Sequence, residues 1–274
     1  MKIGLALPSF VEDPEVPIAV ARAAEAAGVD GVFVYDHLFR TTTQGEIRPA
    51  LECTALLGAI AVETATIAIG TLVARATLRP PATLAVALDT VRRIAGARLA
   101  VGIGAGDEQS RPEMETFGLS FGDEMDRVTA LRGCLRVVRG RGYPIWVGGR
   151  ARHVGLVAAE SADGWNRWGA TPEQFAREWA EVDRLVQRLA AKPALFTASW
   201  GGLVLLGKDE AEVEAKRARL VPGPAVIVGG PERVAEQLRK YGDAGARWAM
   251  VAPLDSSNAD NAAILGERVK PLVA

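Results

Sequence analysis

Residues 2–35, KIGLALPSFVEDPEVPIAVARAAEAAGVDGVFVY, hold one complete β/α/β unit. Lys2–Leu7 is a short apolar run of strand length. Val16–Ala27 carries helical spacing and stops at Gly28, a residue suited to a helix C-terminus. Gly31–Tyr35 is then a second apolar run, with no polar alternation along it. A strand, a covering helix and a second fully apolar strand describe parallel neighbours buried on both faces.

The same unit repeats along the chain. Leu51–Glu63 returns to helical spacing, Thr66–Leu72 is β-branched, and Pro80–Ile94 opens with prolines that suit a first helical turn. Leu99–Ile103, Ile145–Val147, Gly164–Arg167, Leu195–Leu206 and Arg247–Val251 read as further strands. Between and after them, Asp123–Val138, Ala151–Glu160, Thr171–Leu189, Pro231–Asp243 and Ala259–Val273 read as helices. Strict alternation with short connections predicts an α/β protein, a (β/α)8 TIM barrel of parallel strands. The length of 274 residues is close to the roughly 250 typical of that fold. No Ser/Gly/Pro-rich linker divides the chain, so 1–274 is expected to be a single barrel domain. Lys208–Arg219 looks helical and residues 221–224 look like a turn, which makes 207–224 a small insertion.

A formal net charge of -1 argues against a broad grip on nucleic acid. No apolar stretch approaches the 18 or more residues of a membrane span, and the start of the chain lacks the pattern of a secretory signal. The expectation is a cytoplasmic protein acting on a small molecule. Cys53 and Cys134 each lie in an apolar helical pattern, away from any second Cys or His at ligand spacing. They read as buried thiols, and no metal is expected.

In such barrels the chemistry sits on the loops after the strands. Tyr35-Asp36-His37-Leu38 follows the second strand and holds one of only two histidines. His37 reads as a proton donor or acceptor, its tautomer fixed by Asp36 or a carbonyl, or else as a loop hydrogen-bonder. Gly102-Ile103-Gly104-Ala105-Gly106-Asp107-Glu108 follows the fourth. Its alternating glycines let a ligand approach the backbone, although the dinucleotide fingerprint fails where Asp107 replaces the third glycine. Asp107 and Glu108 read as acids or as helix-capping carboxylates. Gly148-Gly149-Arg150 precedes a helix, a place where free amides and the helix dipole favour a phosphate. Trp165, in the sixth strand, reads as a wall for a flat ligand or as core.

Taken in order, Val34-Tyr35-Asp36-His37-Leu38, Ile69-Gly70-Thr71-Leu72-Val73, Leu78-Arg79-Pro80-Pro81-Ala82, the Gly102–Asp107 run, Ile145-Trp146-Val147-Gly148-Gly149 and Ala162-Asp163-Gly164-Trp165 resemble the bacterial luciferase-like monooxygenase superfamily. Within it they resemble the branch that uses the deazaflavin coenzyme F420. The resemblance implies a cofactor ring across the barrel mouth, with the Asp36-His37 pair against it and Asp107 as a second acid. It implies a non-proline cis peptide at Leu72–Val73, after Thr71, supporting the other face. The phosphate tail would meet Gly104, Ala105, Gly106 and the Gly148–Arg150 segment. Ser9 and Phe39 would join Trp165 around the substrate, and a homodimer is expected. The implied activity is hydride transfer between F420 and a small organic substrate.

Two departures stand out. Residues 139–143 join a helix to the fifth strand almost without insertion, and Asp107 is an aspartate where some relatives carry glutamate. No cluster of Lys and Arg marks a sugar-phosphate substrate. The alternatives are an FMN-dependent monooxygenase, a flavin-binding protein without turnover, and a sugar-phosphate barrel enzyme using Val228-Gly229-Gly230-Pro231.

Overall fold

In the computed structural model, which describes residues 1–42 and 45–273, the alternation closes on itself. Eight parallel strands form the barrel: β1 (Lys2–Ala6), β2 (Gly31–Val34), β3 (Ala68–Arg75), β4 (Leu99–Gly104), β5 (Ile145–Gly148), β6 (Gly164–Trp168), β7 (Thr197–Leu206) and β8 (Trp248–Pro253). β8 pairs with β1, and β6 pairs with β7, so the ring has no open edge. Around it lie α1 (Glu15–Ala26), α2 (Cys53–Glu63), α3 (Pro81–Ala95), α4 (Glu124–Val138), α5 (Ala151–Ser161), α6 (Pro172–Leu189) and α7 (Pro231–Asp243), and the chain closes as a helix from Asp260 with a π-wound stretch at Ile264–Val269.

Most of the core lies between strands and helices, where Ile3, Leu5, Val32, Ile69 and Val101 meet Leu57, Leu88 and Leu131. The lumen is filled separately. Phe33, Leu72, Ala100, Trp146 and Met250 pack together there, with Trp168 and Trp248 against them. The rings of Phe33, Trp146 and Trp248 meet at centroid distances of 5.6 to 6.0 Å. Each buried ring removes on the order of 150–250 Å² from water, worth several kcal/mol at about 25 cal/mol per Å². This plug leaves the C-terminal ends of the strands as the place for a ligand.

Two elements differ from the expectation. The loop after β2 contains an antiparallel hairpin, Phe39–Thr41 against Ile47–Pro49. Ile227–Gly229 is a strand, added parallel to the far end of β7. The helical reading of Lys208–Arg219 is met by the helix Glu210–Leu220. No helix among the described residues is long and apolar enough to cross a membrane.

Candidate active site

β3 contains one extra residue at the barrel mouth. Its register against β4 runs from Thr71↔Val101 to Ala74↔Ile103, three steps against two. The extra residue belongs to the cis bond Leu72–Val73, as the resemblance implied. The bulge turns Val73 inward over the glycines of its neighbours. A Cβ on Gly104 would stand 2.5 Å from Val73 Cγ2, and one on Gly148 2.7 Å from Val73 Cγ1. These two glycines therefore make room for a valine, which forms the pad at the mouth. Thr71 is fully buried, and its hydroxyl donates to the Gly102 carbonyl at 2.7 Å. Because Val73 is β-branched and has few rotamers, Gly104→Ala should displace it. The expected cost is about 1–3 kcal/mol of stability, checked by thermal melts.

His37 leaves β2 with its ring half-exposed, and Glu113 holds it. Glu113 sits on the short helix Arg111–Thr116, beyond the Gly102–Asp107 run. Its carboxylate accepts from His37 Nδ1 at 2.7 Å, from the Leu38 amide at 2.6 Å and from Arg75 Nη1 at 2.8 Å. Burial by itself would push the Glu113 carboxyl up. The bonds from His37 and Leu38, with the charges of His37 and Arg75, outweigh burial and hold it below the ordinary carboxylate value. An ionised carboxylate only accepts, so Nδ1 of His37 carries a hydrogen and Nε2 is the nitrogen left for a ligand.

Asp36 does not perform the role expected of it. Its side chain is buried, and it accepts from the Arg75 amide at 2.8 Å and from both terminal nitrogens of Arg79 at 2.7 and 2.8 Å. It ties β2 to the loop after β3 and has no free edge toward a cofactor. Glu52 and Cys53 stand near it, within reach of a shared cation, but Arg79 bonds both carboxylates. Burial, with the adjacent Asp36 charge, pushes the Cys53 thiol far up, so it is no thiolate ligand.

Asp107 is exposed and accepts from the Gln109 amide at 3.0 Å, which makes it the cap of the turn Glu108–Ser110. The acid that reaches His37 is Glu113, not Asp107. Ala105 is buried and Gly106 turns with φ +77°, while Arg150 points into solvent ahead of α5. The Gly149 amide already donates to the Asn166 carbonyl at 3.1 Å. Free amides for a phosphate lie one step later, at the N-terminus of α5, which has no side-chain cap.

The expected substrate residues separate. Ser9 lines the mouth, and its hydroxyl accepts from the Tyr35 amide at 3.4 Å. Phe39 instead packs against Phe117 at 6.4 Å. Trp165 faces away from the lumen, because Val147 is its partner in register while Trp146 pairs with Gly164. Its ring stacks on Phe175 and Trp179 of α6, and its Nε1 donates to the Gly149 carbonyl at 2.9 Å. Tyr35 and Trp168 meet edge to face at 6.0 Å. Beside them opens a cavity of about 900 Å³, bounded by Ser9, Phe10, Tyr35, the start of the loop after β8 and the helix Glu210–Leu220. It opens on β1, β7, β8 and the loop after β2, not on the ends of β3 to β5. His37 borders it through Phe10, whose ring centroid is 5.4 Å from the imidazole.

Comparison with known proteins agrees with this architecture. An uncharacterized protein of Mycobacterium tuberculosis (strain H37Rv) is 26% identical over 208 residues, covering 61% of this chain and 70% of the relative. The F420-dependent glucose-6-phosphate dehydrogenase of Beutenbergia cavernae is 32% identical over 138 residues, which is 50% of this chain but 38% of that enzyme. Among solved structures, an F420-dependent secondary alcohol dehydrogenase in complex with an F420-acetone adduct superposes with a TM-score of 0.83 at 16% identity, over 100% of this chain and 99% of the other. At that identity the likeness is one of fold. The model of the luciferase-like monooxygenase family matches residues 1–140, just over half of the sequence. The chain belongs to the luciferase-like monooxygenase family of enzymes.

Proposed function

We propose that the chain is an oxidoreductase that moves a hydride between the deazaflavin coenzyme F420 and a small organic substrate. The observation that carries this reading is the half-exposed His37, its tautomer set by the ionised Glu113 at the mouth of the barrel. The residues at the mouth fit such a cofactor. Val73 presents an apolar pad, the uncapped N-terminus of α5 suits a phosphate, and Nε and Nη2 of Arg75 are buried without a partner among the described residues. When bound, the deazaflavin supplies the carbon that takes or gives the hydride. The protein supplies orientation and a proton site: Glu113 holds Nδ1 of His37, and Nε2 gives or takes the proton that accompanies the hydride. The F420-dependent relatives favour this reading over FMN, whose ring and ribityl phosphate have a similar shape.

Titration of the purified chain with F420 and with FMN tests the reading. F420 is expected to bind at least tenfold more tightly and to be reduced when a hydride-donating substrate is added. The reverse order of affinities would move the assignment to a flavin monooxygenase. Tight F420 binding without exchange under any donor or acceptor would make the protein a carrier.

A further inference from the structure

The hairpin after β2 places two arginines against each other. Arg40 and Arg48 are directly opposed in its register, so both side chains leave the same face, and both line the 900 Å³ cavity. Like charges directly opposite across an antiparallel pair destabilise it. Arg219, on the helix Glu210–Leu220, lines the same cavity. The charges around this cavity are unevenly balanced. Glu212 and Asp255 are both committed to Lys216 Nζ, each at 3.0 Å. Lys216 is buried and also donates to the Leu206 carbonyl at 2.7 Å, which fastens the helix to β7 and fixes where Arg219 stands. Among the described residues, Arg40 and Arg219 have no carboxylate within ion-pair distance, and Arg48 meets only the exposed Glu46 at 3.1 Å. An ion pair so exposed is worth little. Ser256, Ser257 and Asn258 add polar side chains to the same wall.

We infer that this cavity takes a substrate bearing a phosphate or carboxylate group, gripped by Arg40, Arg48 and Arg219. The inference rests on the hydride-transfer reading for the word substrate, but the anion site stands on its own geometry. The guanidinium of Arg40 lies 5.0 Å from the Phe10 centroid, and His37 lies 5.4 Å from the same ring. One aromatic ring thus separates the basic rim from the proton site, a spacing that a small molecule spans. An arginine presents two parallel donors to a carboxylate or phosphate, and an anion between Arg40 and Arg48 removes their repulsion. The sequence shows no basic cluster because the three residues belong to a hairpin and a helix more than 170 positions apart.

The test uses calorimetric titration of the whole chain with inorganic phosphate and with citrate at low salt, in parallel with F420. Wild type is expected to bind one anion saturably, with affinity falling as salt rises. Arg40→Gln and Arg219→Gln should each weaken it at least fivefold and leave F420 binding within twofold. Arg48→Gln should raise the melting temperature of the anion-free protein, or leave it unchanged, and abolish the rise that phosphate produces in wild type. No saturable binding, or equal binding by the variants, overturns the inference. Equal loss of F420 in the arginine variants also overturns it, because these residues would then hold the cofactor's anionic tail. If wild type binds phosphate but not F420, the deazaflavin reading fails and the anion site stands.

Discussion

Replacing His37 with alanine should lower kcat at least a hundredfold, and up to ten-thousandfold, while F420 still binds within a few-fold of wild type. That range is what a positioned general acid or base contributes. The side chain is 35% exposed and fills no core, so the fold should survive the change. Exogenous imidazole should restore part of the rate, which it would not do if the ring served only to brace the loop. Asp107→Asn makes the contrast. Asp107 caps a turn at the surface, and an asparagine caps nearly as well, so turnover should stay within threefold. Unchanged turnover in the alanine variant, with cofactor bound, would falsify the proton role.

The barrel was legible in the sequence because its signal is redundant. Eight apolar runs separated by helical patterns leave few topologies, and the observed strand Ile145–Gly148 differs from its expected span by one residue. The orientation of side chains on those short strands was not legible. A strand buried on both faces shows no alternation, so a shift of one residue exchanges lumen and outer layer. That is why Trp165 was expected at the mouth, while Trp146 and Trp168 occupy the lumen. The cis bond Leu72–Val73 lies where the family resemblance put it, yet the reason for the surrounding glycines became visible only in the packing. Glu113 left almost no trace. It lies in Arg-Pro-Glu-Met-Glu-Thr, where Glu113 and Glu115 look alike; the buried Met114 beside it was the one hint of a helix turned inward. The arginines around the cavity meet only through tertiary structure, and no spacing in the chain announces them.

Glu113 gives the largest expected loss of stability. Its side chain is 4% exposed, as is that of Arg75, so Glu113→Ala leaves a buried guanidinium without its anion and the Leu38 amide without its acceptor. Breaking such a pair from one side costs about 3–5 kcal/mol, enough to lower the melting temperature by roughly 6–20 °C in a chain of this size. Glu113→Gln keeps the shape and one acceptor for Leu38. It should lose less stability but still drop kcat tenfold or more, since a neutral amide no longer dictates which nitrogen of His37 carries the hydrogen. Acid unfolding gives an independent readout. The folded Glu113 carboxyl titrates below its ordinary value, so between the two values the unfolded chain holds more protons. Its contribution is fully present above a pH of about 4.5 and disappears as pH falls through the folded value. The glutamine variant should therefore lose stability less steeply than wild type below that pH. A variant with wild-type turnover and an unchanged acid slope would mean that Glu113 neither holds His37 nor carries a charge in the folded protein.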